Sequence, residues 1–177
     1  MIIGLLGSAG AGKTTAARMI ADILGAEDVE ILQVAAPIKA MLLGLGLQPE
    51  DFNPRTKERP IGWIGASPRH LMQTLGDWGS GVNQTLWTGI LETRMTTLLL
   101  KGVPHLIVED IRLPLEASLV KRSNGVLIRI TRPKLVVAGA HVTERAGQMI
   151  DVDHEIENSG SLDQLRMALE EVLVDAT

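Results

Sequence analysis

The chain has 177 residues, 45% hydrophobic and 21% charged, with a formal net charge of −4. That is about one domain's worth of chain with enough apolar mass for a core, which excludes a disordered tail, a fibre or a low-complexity scaffold. The acidic balance and the scarcity of aromatics (one Phe, three Trp, no Tyr) disfavour bulk nucleic-acid binding, and the absence of Cys removes disulfides, thiolate catalysis and Cys-ligated zinc. No stretch reaches the roughly 18 apolar residues of a membrane span, and the apolar N-terminus has no basic segment before it, so a soluble cytoplasmic protein is expected.

In chain order, Ile2–Leu6 is a short apolar run ending in glycine, the pattern of a strand buried on both faces. Lys13–Leu24 reads as a helix with Ala16, Ile20, Ile23 and Leu24 on one face. A second strand is expected over residues 30–35 and a short helix over about 37–45, with Pro37 in its first turn. Residues 46–66, carrying Pro49, Pro54, Pro60 and several Gly, read as irregular. Ser67 and Pro68 cap and open a helix to about residue 77. Another helix follows over 85–100, with Trp87, Ile90, Leu91, Arg94 and Leu98 at helical spacing. Then come a strand over 106–108 ending in Glu109 and Asp110, a helix over 115–122, a strand over 126–130, a mixed stretch over 133–150 and a brief strand near Glu155 and Ile156. Ser161 with Gln164 makes a capping-box pattern for a last helix that buries Leu162, Leu165, Leu169, Val172 and Leu173. Strands alternating with helices imply one α/β domain, its parallel sheet covered on both faces.

Gly7-Ser8-Ala9-Gly10-Ala11-Gly12-Lys13-Thr14 fits the phosphate-loop pattern G-x-x-x-x-G-K-[ST] in full, directly after the first strand and opening the first helix. Glycines let consecutive backbone N–H groups turn toward phosphate oxygens, and the helix N-terminus adds positive potential. In such a loop Lys13 reaches the β- and γ-phosphates and the Thr14 hydroxyl ligates Mg2+; Thr15 is counted with the nucleotide-binding residues. The bland alternative is a tight turn with a surface lysine, but the flanking strand and helix favour a nucleoside triphosphate site. A GTPase would carry N-K-x-D and D-x-x-G, and neither occurs: Asp110 is followed by Ile111, Arg112 and Leu113. Large motor ATPases need more chain, whereas small P-loop kinases fit this length.

Further segments follow in order: Ala36-Pro37-Ile38-Lys39, Ser67-Pro68-Arg69-His70-Leu71-Met72-Gln73-Thr74-Leu75-Gly76, Glu109-Asp110-Ile111-Arg112, Ile130-Thr131-Arg132-Pro133, His141-Val142-Thr143-Glu144 and Ile156-Glu157-Asn158-Ser159-Gly160-Ser161. Through these and the phosphate loop, most of the chain resembles the deoxynucleoside monophosphate kinases of bacteriophages, within the nucleoside monophosphate kinase group. The loop alone is widely shared; S-P-R-x-L-x-Q-T-L-G and D-x-R in this order discriminate far better. The resemblance implies a P-loop α/β/α fold with a five-stranded parallel sheet, a helical acceptor-binding region over about 37–100 and a lid over about 133–150. It also implies ATP with Mg2+ as donor and a deoxynucleoside monophosphate as acceptor, and it makes a homodimer a reasonable expectation.

Each candidate residue also has an ordinary reading. Asp110, at the carboxyl edge of an apolar strand, would hold the water shell of Mg2+ or orient the acceptor phosphate; alternatively it caps the next helix. Glu109 is the alternative carboxylate on the metal side. Arg112 suits a bidentate phosphate contact, with a salt bridge to Glu116 as its alternative. Arg69 and Gln73, four apart on one helix face, suit a monophosphate and a base edge, and the resemblance places the acceptor there; the alternative is a solvated face. Lys39 joins them, although the family's usual acidic residue near it is Ala36 here, and Ser80 stands where relatives commonly have Arg after the glycine. Arg132 and Arg145 bracket the stretch 133–150 and in a lid would neutralise charge on the transferring phosphoryl group; singly, either could be plain surface. His141 and Glu144 could anchor that lid, while the scattered histidines argue against a structural metal site. The resemblance suggests that Asn158, Gly160 and Ser161 frame the adenine, with helix capping as the alternative. Trp87 reads as core, and Trp63 could pack on a base.

The expectation is a kinase that moves the γ-phosphoryl of ATP to a deoxynucleoside monophosphate with no covalent intermediate, using Lys13, Asp110, Arg112, Arg132 and Arg145. The competing readings are a kinase of the same architecture acting on dephospho-coenzyme A or a nucleoside, a regulatory ATPase, and a non-catalytic nucleotide-binding subunit.

Overall fold

The structure, a computed structural model, describes residues 1–133, 147 and 149–175. The chain forms two compact units, one of Met1–Gln33 with Glu92–Thr177, the other of Val34–Leu91. The first unit holds a five-stranded sheet, β1 (Ile2–Leu6), β2 (Val29–Leu32), β3 (His105–Ile111), β4 (Val126–Thr131) and β5 (His154–Glu157), in the order β2-β3-β1-β4-β5. Every pairing is parallel. All five residues of β1 are buried, as its unbroken apolar run requires of a central strand covered on both faces.

Helix α1 (Lys13–Leu24) turns Ala16, Ala17 and Ile20 toward Ile3, Leu5, Ile107 and Ile128, and the C-terminal helix α6 (Leu162–Asp175) adds Leu165, Leu169 and Leu173 to the same core. On the other face, α5 (Pro114–Arg122) brings Val120 against Gly4, beside Ile111 and Leu127. Three layers result, helices on both sides of a parallel sheet.

The second unit contains α2 (Ala36–Gly44), α3 (Pro68–Val82) and the start of α4 (Leu86–Leu100). Ile38, Leu42 and Leu47 form its core, with Phe52, Leu71, Leu75 and Trp87 packed against them. Residues 46–66 contain only a short 3-10 turn at Pro49–Phe52 and a bridge between Ile61 and Ala66, in line with their Pro and Gly content.

Two boundaries and one buried face differ from the expected ones. Strand β2 ends at Leu32, not residue 35, because its ladder with β3 stops at the Leu32–Val108 pair, just before β3 bulges. Helix α3 continues past residue 77 to Val82, so its glycines are not stop signals. The Trp87 indole N–H donates to the Gly76 carbonyl at 2.9 Å, and a Cβ on Gly79 would collide with the Trp87 ring. In α4 the buried stripe is Leu91, Met95 and Leu98, whereas Arg94 is exposed and pairs with Glu30 at 3.6 Å. Apolar residues lie nearly all round this helix, so periodicity could not choose its face. Among the described residues, no helix is long and apolar enough to cross a membrane.

Candidate active site

The phosphate-loop pattern falls between β1 and α1, at the carboxyl edge of the sheet. Two of its glycines are dictated by geometry. Gly7 (φ +140°) passes so close to the Ile130 carbonyl that a Cβ would collide with it, and Gly12 (φ +106°) leaves no room for a Cβ beside the Asn158 amide. The Ala11 N–H donates to the Ser8 carbonyl at 3.1 Å, tightening the loop, and the Ala16 N–H to the Gly12 carbonyl at 2.9 Å begins the helix. The first turn of α1 has no acidic residue and no side-chain cap among the described residues, so its N-terminal N–H groups remain suited to an anion. The Lys13 ammonium lies over the loop, donating to the carbonyls of Gly7 (2.7 Å) and Ser8 (3.0 Å). Thr14 and Thr15 are exposed beside it.

Glu109 and Asp110 lie within β3, not beyond it. Gly4 pairs with Val108 and Leu6 with Ile111, so two steps of β1 face three of β3, a bulge that holds the two carboxylates. Glu109 is buried and accepts from the Gln33 side-chain amide. Asp110 is partly exposed and accepts from Arg112 Nε at 3.0 Å. The capping reading gives way here. Leu113, not Asp110, occupies the N-cap position of α5, and the Arg112 guanidinium forms an ion pair with Asp110, while Glu116 accepts the Arg112 backbone N–H.

Glu116 has a different task. Its carboxylate is buried and accepts the backbone N–H groups of Arg112 (2.6 Å) and Leu113 (2.9 Å), tying the turn after Asp110 to the first turn of α5. Burial pushes this carboxyl above the usual glutamate range, against the pull of the two backbone hydrogen bonds. The available signal was Pro114 at N1 followed by Glu116 at N3, the position from which an acid reaches back to orphan N–H groups.

Arg132 follows β4 and is exposed. After β5, Asn158 is buried; its side-chain amide donates to the Ala11 carbonyl at 2.8 Å and its backbone N–H to the Thr131 carbonyl at 2.7 Å. Ser161 and Gln164 form the expected reciprocal cap, at 2.8 and 3.2 Å, directly after Gly160. Thus Lys13, Thr14, Asp110, Arg112, Arg132 and Asn158 all sit at the carboxyl edge of one sheet. Arg129, which had no sequence signal, donates to the carbonyls of Gly147 (3.3 Å) and Ile150, and Gly147 lies against the Arg112 backbone. Arg145, His141, Glu144 and most of the stretch 133–150 lie outside the described residues.

Lys39, Arg69 and Gln73 belong to the second unit. Ser67 caps α3, accepting the His70 N–H at 3.3 Å, and Arg69 and Gln73 share the helix face that follows. Arg69 is half-buried, its Nε 2.7 Å from Glu58 Oε1 and its backbone N–H donating to the Lys57 carbonyl at 2.9 Å. Lys39 is half-buried on α2. Trp63 is 69% exposed, beside Gly46.

Residues 64–169 match the family model for deoxynucleotide monophosphate kinase. That match begins well after the phosphate loop, so the two signals are independent. A protein of Acanthamoeba polyphaga mimivirus, provisionally named deoxynucleotide monophosphate kinase, is 30% identical over 159 residues, covering 81% of this chain and 80% of its own. The chain belongs to the deoxynucleotide monophosphate kinase family. As a member, it is an ATP-dependent phosphotransferase acting on a deoxynucleoside monophosphate. Solved kinases share the fold. The dephospho-CoA kinase of Campylobacter jejuni is 16% identical, with TM-score 0.52, over 99% of this chain and 97% of its own. A sugar kinase of Janibacter sp. HTCC2649 is 17% identical, with TM-score 0.52, over 98% and 92%.

Proposed function

We propose that this deoxynucleotide monophosphate kinase binds ATP through residues 7–15, with Ser8, Ala9, Gly10 and Gly12 presenting backbone N–H groups, the Ala11 N–H closing the loop on Ser8, and Lys13 moving from its loop carbonyls to the β- and γ-phosphates. The observation that carries the reading is the phosphate loop with its lysine on the same sheet edge as the Asp110–Arg112 pair. Thr14 offers a hard oxygen donor in the first turn of α1, and the β3 carboxylates offer others; Mg2+ fits such a set and supplies charge neutralisation on the phosphates. No group of three or more His, Asp or Glu gathers among the described residues, and Mg2+ needs none, since phosphates and water complete its shell.

In this reading Asp110 keeps the Arg112 guanidinium oriented for phosphate oxygens, and Arg132, with Arg145 beyond the described residues, adds positive charge as the phosphoryl group transfers. Lys39, Arg69 and Gln73 bind the acceptor, with Glu58 steering Arg69. Positioning and charge neutralisation carry the rate, with no covalent intermediate. The proposal extends to Gly160 and Ser161 beside the adenine, a homodimer in solution and a cytoplasmic location. A coupled ADP-release screen over the common dNMPs and NMPs, with dephospho-coenzyme A alongside, tests the reaction. ADP formation that depends on a dNMP is expected; acceptor-independent release, or a preference for dephospho-coenzyme A, would overturn it.

A further inference from the structure

Asn158 is expected from resemblance to lie by the adenine, yet its side chain is engaged elsewhere. It is 7% exposed, and a buried amide is costly unless hydrogen-bonded. Its backbone N–H closes on the Thr131 carbonyl, fixing the residue between the ends of β4 and β5. Its side-chain amide donates at 2.8 Å to the Ala11 carbonyl, across 147 residues of sequence, and fills the space that a Cβ on Gly12 would need. The Ala11 carbonyl and the Gly12 N–H belong to one planar trans peptide and point in opposite directions. Holding the carbonyl toward β5 therefore aims the Gly12 N–H away from it.

We propose that Asn158 is a positioning residue for the phosphate loop: its amide locks the Ala11–Gly12 peptide so that the Gly12 N–H faces the triphosphate, and it does not read the base. The inference rests on the reading that Gly7–Thr15 binds the triphosphate. Only a donor can serve at this point, because the partner is a carbonyl. An ionised aspartate of the same size would set a negative oxygen against it.

Inorganic tripolyphosphate tests this, since it offers the phosphates without a base. Calorimetric affinities for tripolyphosphate and for a non-hydrolysable ATP analogue are compared in wild type, Asn158→Ala and Asn158→Asp. The aspartate variant preserves volume and the backbone bond to Thr131, and it serves where the alanine variant does not fold. Both affinities should fall together by about tenfold, the scale of one well-placed hydrogen bond, with KM for dNMP unchanged. Weaker binding of the ATP analogue with unaltered tripolyphosphate binding would make Asn158 a base reader and overturn the proposal. So would a lower melting temperature with both affinities intact. Wild-type protein that binds no tripolyphosphate would refute the phosphate-loop reading itself, and the proposal with it.

Discussion

Removing the Glu116 carboxylate should unfasten the turn that carries Arg112. The side chain accepts two backbone N–H groups, at 2.6 and 2.9 Å, from a position that is only 6% exposed. Burial outweighs these hydrogen bonds for the charged form, but truncation leaves both backbone N–H groups without their acceptor, at about 1–3 kcal/mol for each unsatisfied group. Glu116→Ala is therefore expected to cost about 3 kcal/mol, which at roughly 2–4 °C per kcal/mol for a domain of this size lowers Tm by about 6–12 °C. Glu116→Gln keeps an acceptor oxygen and drops the charge, so it should retain most of the stability and separate the two effects.

The pH dependence carries the sign. Burial raises the folded carboxyl above its ordinary value of 4.5. Between that value and the raised one the folded state binds more proton than the unfolded, so the Glu116 contribution weakens as pH rises through the window and recovers on acidification. Wild type should gain on Glu116→Gln between pH 7 and pH 4, measured by urea unfolding. An alanine variant within about 0.5 kcal/mol of wild type, or a glutamine variant that gains on wild type in acid, would refute the argument. In steady-state assays Glu116→Ala should also lower kcat, since Arg112 loses its fixed turn.

Lys13→Ala should fold normally yet lose at least about a hundredfold in kcat, because its cation acts on the phosphates rather than on packing; near-normal turnover in a folded variant would refute its role. Arg69→Ala and Gln73→Ala should each raise KM for dNMP by roughly tenfold while KM for ATP moves little, and the opposite pattern would move the acceptor off α3. At Asp153 burial alone would raise the carboxyl, but hydrogen bonds from the Leu127 N–H (2.8 Å) and Lys121 (2.6 Å) outweigh it and hold it below the usual aspartate range. Its stabilisation is therefore present above pH 3.8 and lost as pH falls through the depressed folded value. Asp153→Asn should melt below wild type at pH 7, with the gap closing in acid; a pH-independent gap would contradict this.

Much of the fold was legible because its signals are local. Ile2–Leu6 is apolar without interruption, and such a strand has to be central. Where local chemistry was ambiguous, tertiary contacts decided. Gly76 and Gly79 look like the end of a helix, but α3 runs through them because Trp87 needs a carbonyl and a bare backbone to pack on. The bulge at Glu109 and Asp110 leaves no mark in either residue, because it exists only as a mismatch between two paired strands.

The same division runs through the site. The phosphate loop is eight consecutive residues whose chemistry is its own, so the sequence displays it directly. Asn158 and Arg129 work by bonding to main-chain carbonyl groups of distant segments. Every residue offers such groups, so no residue pair or spacing advertises the contact, and only the parallel register brings residue 158 to residue 11. Arg112 shows the consequence. Its spacing to Glu116 suggested a side-chain ion pair, and the two residues do meet, through the Arg112 backbone. The guanidinium pairs with Asp110, and Glu116 holds the turn from beneath. An anchor to the main chain keeps its grip whatever side chain the anchored residue carries. Arg112→Lys should therefore leave the Glu116 bonds intact while removing the planar fork that two phosphate oxygens can share.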